Sequence, residues 1–289
     1  MDSPVNRDGD IVRVGRIDFA NSDPVYYGLE NGSVDVPGET SLKLIDGFPV
    51  ALNSMLEHGD IDLAPISSIE YARSSQNYRI LPDLSVTSDG KVVSIYLFSK
   101  KPPDELEEVA VTSTSETSVT LLRILLREKY GVEPEFHRRD PYLEDMFEDC
   151  DAALVIGDHA LLEYRKLENS EDSGADVEVL DLGEEWKEMT GEMMVYAVWA
   201  VRDDVEDVDV VNTHEGLLIS KKEGYRNLDV IAEDVAERLD LSYSVAEEYV
   251  ALLDHGFDEG HARGLEKYYE FAEQNSEIES VPDIRIFEK

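Results

Sequence analysis

Cysteine is almost missing from this chain, which carries a single one, Cys150, in 289 residues. A lone thiol excludes an intramolecular disulfide and a thiolate metal cluster. Its place at the entry to the apolar run of MFEDCDAALVIG reads as a small buried hydrophobe. Cations are scarce as well: 26 Lys and Arg stand against 65 Asp and Glu, a formal net charge of −39. Such a surface repels the phosphates of nucleic acid and excludes it as a partner in dilute buffer. No uninterrupted apolar run reaches the roughly 18 residues that a membrane-crossing helix requires. The N-terminal MDSPVNRDGD is acidic and has no apolar core of a secretion signal, so the expectation is a cytoplasmic protein with no membrane partner.

Several catalytic signatures are absent too. The histidines His58, His137, His159, His214, His255 and His261 show no HExxH-like spacing and are expected at the surface. No G-x-S-x-G elbow, P-loop or G-x-G-x-x-G occurs, which removes sequence support for acyl-enzyme chemistry, nucleotide hydrolysis and dinucleotide binding. Carboxylates are so abundant that no catalytic pair stands out from their number.

What is present is a soluble α/β pattern, with 42% hydrophobic residues arranged in Val/Ile runs and Leu/Ala-rich stretches. The acids are spread along the whole chain rather than massed in a tail. That distribution fits a halophile's surface, because in molar salt the Debye length falls to about 3 Å and the repulsion is screened.

Repeating strand-to-helix units organise the chain. VGRIDFANSDPVYYGL gives a strand, a turn at Asn21-Ser22 and a helix ending near Asn31-Gly32. A helix from Pro49 closed by Gly59 leads to a short strand, Ile61 to Ala64, and a turn bearing Ser67 and Ser68. A long alternating strand, Val92 to Ser99, follows Ser88-Asp89-Gly90. A new unit then starts at Val109 to Thr112, with a helix whose Val119, Leu122, Leu125 and Leu126 share one face. CDAALVIGDHALLEY holds another strand ending on Gly157-Asp158, the polar loop LENSEDSGAD follows, and Met194 to Arg202 forms a second long apolar strand. The strands near 92–99 and 194–202 bracket one compact segment, as two crossovers do in a two-lobed clamshell with a ligand cleft. The expected lobes are 1–97 with 201–289, and 98–200. At the C-terminal end, Ser244 and Glu247 have capping-box spacing, and 262–275 reads as the hairpin partner of that helix.

Four turns present hydroxyl or amide side chains where a strand hands over to a helix: Asn21-Ser22, Ser67-Ser68, Thr112 to Ser118, and Gly157-Asp158. Helix starts offer free N–H groups that bind anions without Lys or Arg. Ordinary helix capping accounts for any one of them, whereas several in two lobes can converge on a common cleft. Tyr26, Tyr27, Trp186 and Trp199 can wall a pocket, but aromatics in such runs more often fill core.

The blocks RVGRIDFANSDPVYYGL, GDIDLAPISSIEYAR, LPDLSVTSDGKVVSIYLFS, VTSTSETSVTLLRILL, DAALVIGDHAL and DLGEEWKEMTGEMMVYAVWAVR, in this order over residues 12 to 202, resemble the chorismate dehydratases of the futalosine route to menaquinone. The resemblance implies a fold like type II periplasmic binding proteins, no metal or organic cofactor, and chorismate, a dicarboxylate, as the small-molecule partner. It also implies roles for residues. Asn21 matches the family's Asn after the first strand, with Ser22 where Thr is more usual, and Ser88 matches the Ser of the Ser-Asp-Gly turn; both Asn21 and Ser88 fall at catalytic positions. Ser67 and Ser68 of the PISS turn, Thr117 and Ser118 at the second lobe's helix start, and Ser22 fall at substrate-binding positions. Rival readings are the sister enzyme 1,4-dihydroxy-6-naphthoate synthase, a small-anion solute-binding protein, and a scaffold. Oligomeric state is left open.

Overall fold

The first strand, β1 (Ile11–Ile17), has Val12 and Val14 to Ile17 buried, and the two arginines that interrupt it are paired rather than disruptive. Arg13 reaches Asp62 through Nη2 at 2.7 Å and Nε at 3.0 Å, and buried Arg16 meets Asp23 at 3.0 Å and Glu30 at 2.8 Å. These coordinates are a computed structural model that describes residues 11–169 and 177–288; the acidic N-terminal stretch and most of the LENSEDSGAD loop lie outside the described residues.

After β1 come α1 (Asp23–Glu30), β2 (Ser41–Gly47), α2 (Pro49–His58), β3 (Leu63–Ser67), α3 (Ser68–Ser74) and β4 (Tyr78–Ser88). The middle of the chain builds β5 (Ile95–Ser99), β6 (Glu108–Thr112), α4 (Glu116–Glu128), β7 (Glu135–Arg139), α5 (Leu143–Met146), β8 (Ala152–Ile156), α6 (Gly157–Asn169), β9 (Glu178–Asp181) and α7 (Leu182–Thr190). Last are β10 (Met194–Arg202), α8 (Asp207–Arg226), α9 (Leu228–Leu239), α10 (Tyr243–Leu252) and α11 (Glu259–Gln274).

Two five-stranded mixed sheets result, ordered β2-β1-β3-β10-β4 and β7-β6-β8-β5-β9. In each, one strand runs antiparallel to its neighbours: β10, which returns after the second sheet is complete, between β3 and β4, and β5, the first strand of the second sheet, between β8 and β9. Sheet membership therefore changes between Ser88 and Ile95 and again between Asp181 and Met194. One apolar core runs across both sheets, holding Leu52 and Ile66 with Val109, Leu122 and Trp186.

Some local expectations shift. The strand expected over 92–99 begins only at Ile95, because Val93 has φ 48 and the N–H groups of Val92 and Val93 are turned to the Asp181 carboxylate at 3.0 and 2.8 Å. A β-branched residue at positive φ is strained, and those bonds from β9 hold it there. The strand expected at 61–64 is β3, Leu63–Ser67, since Asp62 is engaged by Arg13 and the ladder to β10 runs from Leu63 to Ser67. At α10 the N-cap is Ser242 and makes no side-chain cap bond, so Ser244 and Glu247 form no capping box. A capping box does occur at α11, where Asp258 accepts from the backbone of His261 and returns the contact to its imidazole. The packing partner of α10 is α9, and α11 lies instead over β10 and α4.

The aromatics fill core: Tyr26 packs on Trp199 at 5.6 Å between centroids, and Trp186 meets Tyr268 at 6.1 Å. Cys150 is a buried free thiol. The histidines divide, for His214, His255 and His261 are buried, against the expectation of surface positions. Each has a ring nitrogen satisfied: His214 on Pro82 O at 2.8 Å, His255 on the Tyr225 hydroxyl at 2.9 Å, His261 on Asp258 at 2.8 Å. A neutral imidazole with a partner is cheap to bury.

His255 gives a pH prediction. Burial and the nearby Lys221 ammonium lower its pKa from 6.5 to about 4, with Asp254 pulling the other way. The unfolded chain therefore takes up a proton that the folded chain refuses between these values, and stability is lost as pH falls through that window, by up to about 3 kcal/mol. Denaturant melts at the two ends of the window should show a smaller acid loss in His255→Gln than in the parent. An equal loss would contradict the assignment.

Candidate active site

Between the sheets lies a cleft that, with the open solvent at its mouth counted, holds about 510 Å3 of empty space. Its polar lining comes from element ends. After β1 the chain makes one 3-10 turn, Ala20–Ser22, which presents buried Asn21 and Ser22. Ser67 contributes from the end of β3, and Ser94 from the segment crossing between sheets. The start of α4 brings Ser115 and Ser118, and the start of α6 brings Gly157. Tyr196 of β10 supplies a ring to the wall. Phe19, Ile95 and Leu253 close the apolar side.

No carboxylate, imidazole, ammonium or guanidinium lines this cleft among the described residues. In a chain of net charge −39 that is a marked local exception. Neutral donors and helix starts remain, the set that holds carboxylates by N–H and O–H groups. α4 is a helix of 13 residues, and Ser115 at its N-cap accepts from Ser118 N–H at 3.3 Å and donates to Ser118 Oγ at 3.0 Å. Glu116 in that first turn is turned to Arg138 at 2.6 Å. Gly157 has φ 64 and lies against Phe19, where a Cβ would come within 2.4 Å of the ring, so only glycine lets α6 start this close to the cleft.

The residues singled out by sequence divide into two groups. Asn21, Ser22, Ser67 and Ser118 line the cleft together. Asn21 Nδ2 donates to Ser94 Oγ at 3.3 Å across the crossing segment. Ser22 Oγ is buried with no hydrogen-bond partner, so helix capping does not account for it. Ser67 N–H is held by Asn53 Oδ1 at 3.1 Å. Ser88, Ser68 and Thr117 sit one layer back. Ser88 Oγ is 2.9 Å from Gly90 O and 3.0 Å from the Tyr196 hydroxyl. With its own proton on Gly90 O, Ser88 accepts from Tyr196, whose phenol burial keeps neutral. Ser68 donates to Val195 O at 2.7 Å, and Thr117 Oγ1 accepts from Ile69 N–H at 3.3 Å.

Ser94 and Tyr196 escaped the sequence reading, and Ser115, inside the Thr112 to Ser118 turn, was not singled out from it. Ser115, three residues ahead of Ser118 and just before an apolar helix, has N-cap spacing and was detectable from it. Tyr196 lies inside an apolar strand, where nothing local separates a cleft-facing ring from a core one. Ser94 becomes visible only with the break at Val93.

Removing the Ser22 hydroxyl separates fold from binding. A buried hydroxyl without a partner costs about 1–3 kcal/mol, so Ser22→Ala should melt at the same temperature as the parent or higher. Loss of a cleft donor should nevertheless raise KM for the substrate by roughly tenfold. A lower melting temperature with unchanged KM would return Ser22 to a structural role.

Two mixed sheets, two crossings and a cleft lined by helix starts define a two-lobed α/β clamshell of the periplasmic-binding-protein kind. Solved structures of this fold superpose on it: protein AF1704 from Archaeoglobus fulgidus, with TM-score 0.69 and 20% identity over 93% of this chain and 98% of that one, and the periplasmic aliphatic sulphonate binding protein SsuA from Escherichia coli, with TM-score 0.68 and 13% identity over 97% and 93%. The chain belongs to the menaquinone biosynthesis family, whose model matches residues 12–274. Among curated relatives, it is 33% identical over 260 residues to the chorismate dehydratase of Thermus thermophilus, covering 87% of this chain and 92% of that protein. It is 28% identical over 183 residues to the chorismate dehydratase of Campylobacter jejuni, covering 63% and 64%.

Proposed function

We propose that this protein is a chorismate dehydratase, a lyase that converts chorismate to 3-[(1-carboxyvinyl)oxy]benzoate and water in menaquinone biosynthesis. The observation that carries the reading is the cleft's chemistry: mostly apolar walls carrying a few neutral hydroxyl and amide groups, with no carboxylate, imidazole or amine among its described lining residues. A substrate that brings its own base suits such a site. The enolpyruvyl carboxylate takes the ring proton on the neighbouring carbon, that C–H electron pair completes the aromatic ring, and the ring C–O bond breaks as hydroxide leaves. Proton and hydroxide together make the water released.

Within this scheme, the Ser118 hydroxyl, oriented by Ser115, and the starts of α4 and α6 hold a substrate carboxylate. Asn21 stabilises charge at the departing oxygen, while the Tyr196–Ser88–Gly90 chain of hydrogen bonds fixes the wall beside it. Ser22 and Ser67 orient the ring, while Ser68 fixes α3 to β10 and Thr117 fixes it to α4 from behind. Positioning supplies most of the acceleration, since aromatisation already drives the reaction. The relatives' activity and the family membership support this reading. We place the enzyme in the cytoplasm of a halophile on the strength of its charge.

The test is incubation of the purified protein with chorismate in molar salt, following the aromatic product. Tight chorismate binding without conversion would favour a small-anion-binding protein instead. An analogue lacking the enolpyruvyl carboxylate should bind and stay intact; its normal turnover would sink the substrate-base mechanism.

A further inference from the structure

Ser22 holds the N-cap position of α1 and Ser67 that of α3, yet neither side chain accepts a bond from its own helix. Helix starts leave N–H groups that require an acceptor. Here acceptors come from across the cleft. Asp158, the second residue of α6, accepts the Ala20 N–H at 3.1 Å, and Thr117 in the first turn of α4 accepts the Ile69 N–H at 3.3 Å. The second sheet's helices thus supply acceptors to the 3-10 turn ahead of α1 and to the start of α3.

Asp158 is the more telling of the pair. Its Oδ1 also takes the Tyr249 hydroxyl of α10 at 2.7 Å, and the neighbouring Gly157 abuts Phe19, the residue just before the turn. A carboxylate that accepts from N–H and O–H groups in a partly buried place makes strong bonds. Ser22 is itself in helical conformation and the 3-10 turn runs straight into α1, so the Ser22 hydroxyl is not consumed as a cap. It is left buried and unpartnered at the cleft wall.

We propose that Asp158 is a positioning residue that caps the Ala20–Ser22 turn from the opposite lobe, so that Asn21 and Ser22 are fixed in working geometry only while the lobes are closed. Its catalytic consequence rests on the dehydratase reading; the capping itself does not. Closure and assembly of the site become one event, with Thr117 providing the matching cap at α3.

The test compares Asp158→Ala, Asp158→Asn and Tyr249→Phe in the full chain. In Asp158→Ala the Ala20 amide should exchange with solvent roughly tenfold faster while amides inside β1 and β3 keep their rates. With chorismate, kcat should fall by roughly 10- to 100-fold while KM stays within about threefold. Asp158→Asn, which keeps an oxygen acceptor, should recover most of both. Tyr249→Phe should leave the Ala20 exchange rate unchanged. Unchanged Ala20 exchange in Asp158→Ala overturns the proposal, and so does a uniform rise across the first sheet, which marks a merely structural role. If the parent protein fails to convert chorismate, the dehydratase reading falls, and the cap is then decided by Ala20 exchange alone.

Discussion

Asn21→Ala is expected to fold and to lose nearly all turnover. The amide is buried at the cleft wall, and its one side-chain bond is to Ser94 Oγ at 3.3 Å. A long neutral bond of that kind contributes about 1 kcal/mol, a small part of the stability of a domain this size. Ser94 Oγ keeps its other bond, to Val92 O at 3.1 Å, so the crossing segment retains an anchor. At the reacting centre the loss is far larger. Deleting a preorganised donor aimed at developing negative charge lowers kcat by about 10²–10³. KM should move much less, because the substrate carboxylates are held elsewhere, at α4 and α6. Thermal melting with steady-state kinetics on chorismate tests both halves. Turnover within threefold of the parent would strip Asn21 of its role, and a collapsed melting curve would make it a structural residue.

The second large effect is expected from salt. Sixty-five acidic residues against 26 basic ones leave a net charge of −39 spread over the whole surface. At 0.1 M salt the Debye length is about 10 Å, long enough for many like charges to repel across the fold; near 1 M it is about 3 Å. Close pairs such as Arg13 with Asp62, which is almost wholly buried, are less exposed to this screening. The diffuse repulsion therefore disappears in concentrated salt while the specific attractions largely survive. Relief of several kcal/mol in a chain of this size raises the melting temperature by on the order of 10 °C. A melting temperature that is the same in dilute buffer and in molar salt would contradict a halophilic design.

Both expectations draw on features that local pattern already carries. The strand-to-helix units could be read because hydrophobic period, Gly59 and Gly131 punctuate them, and the cleft hydroxyls because they recur at the ends of strands. What escaped depends on distant partners. The start of β5 is set by Asp181, almost ninety positions further along, reaching back to Val92 and Val93. Nothing near Val93 announces a positive φ. The buried histidines look like surface ones until Tyr225, Pro82 and Asp258 are brought beside them. Ser22 has the spacing of a cap and does not act as one, since its backbone is already helical, and Asp158 in another unit bonds the Ala20 N–H ahead of it. Ser88 has the identity expected of a site residue, but only the fold sets Tyr196 between it and the cleft.

The exchange of strands between the sheets also bears on how the chain emerges from the ribosome. Four of the five strands of the second sheet lie between Glu108 and Asp181, and the fifth, β5, is just ahead at Ile95–Ser99, so that an unbroken stretch can complete its own ladder during synthesis. The first sheet cannot. β3 and β4 are made early but flank β10, so both wait with unpaired edges until Arg202 has been translated. Domains generally fold as units while synthesis proceeds. The middle of this polypeptide is therefore set to fold before its beginning, and a nascent chain arrested ahead of residue 194 should carry a finished second sheet beside an open first one.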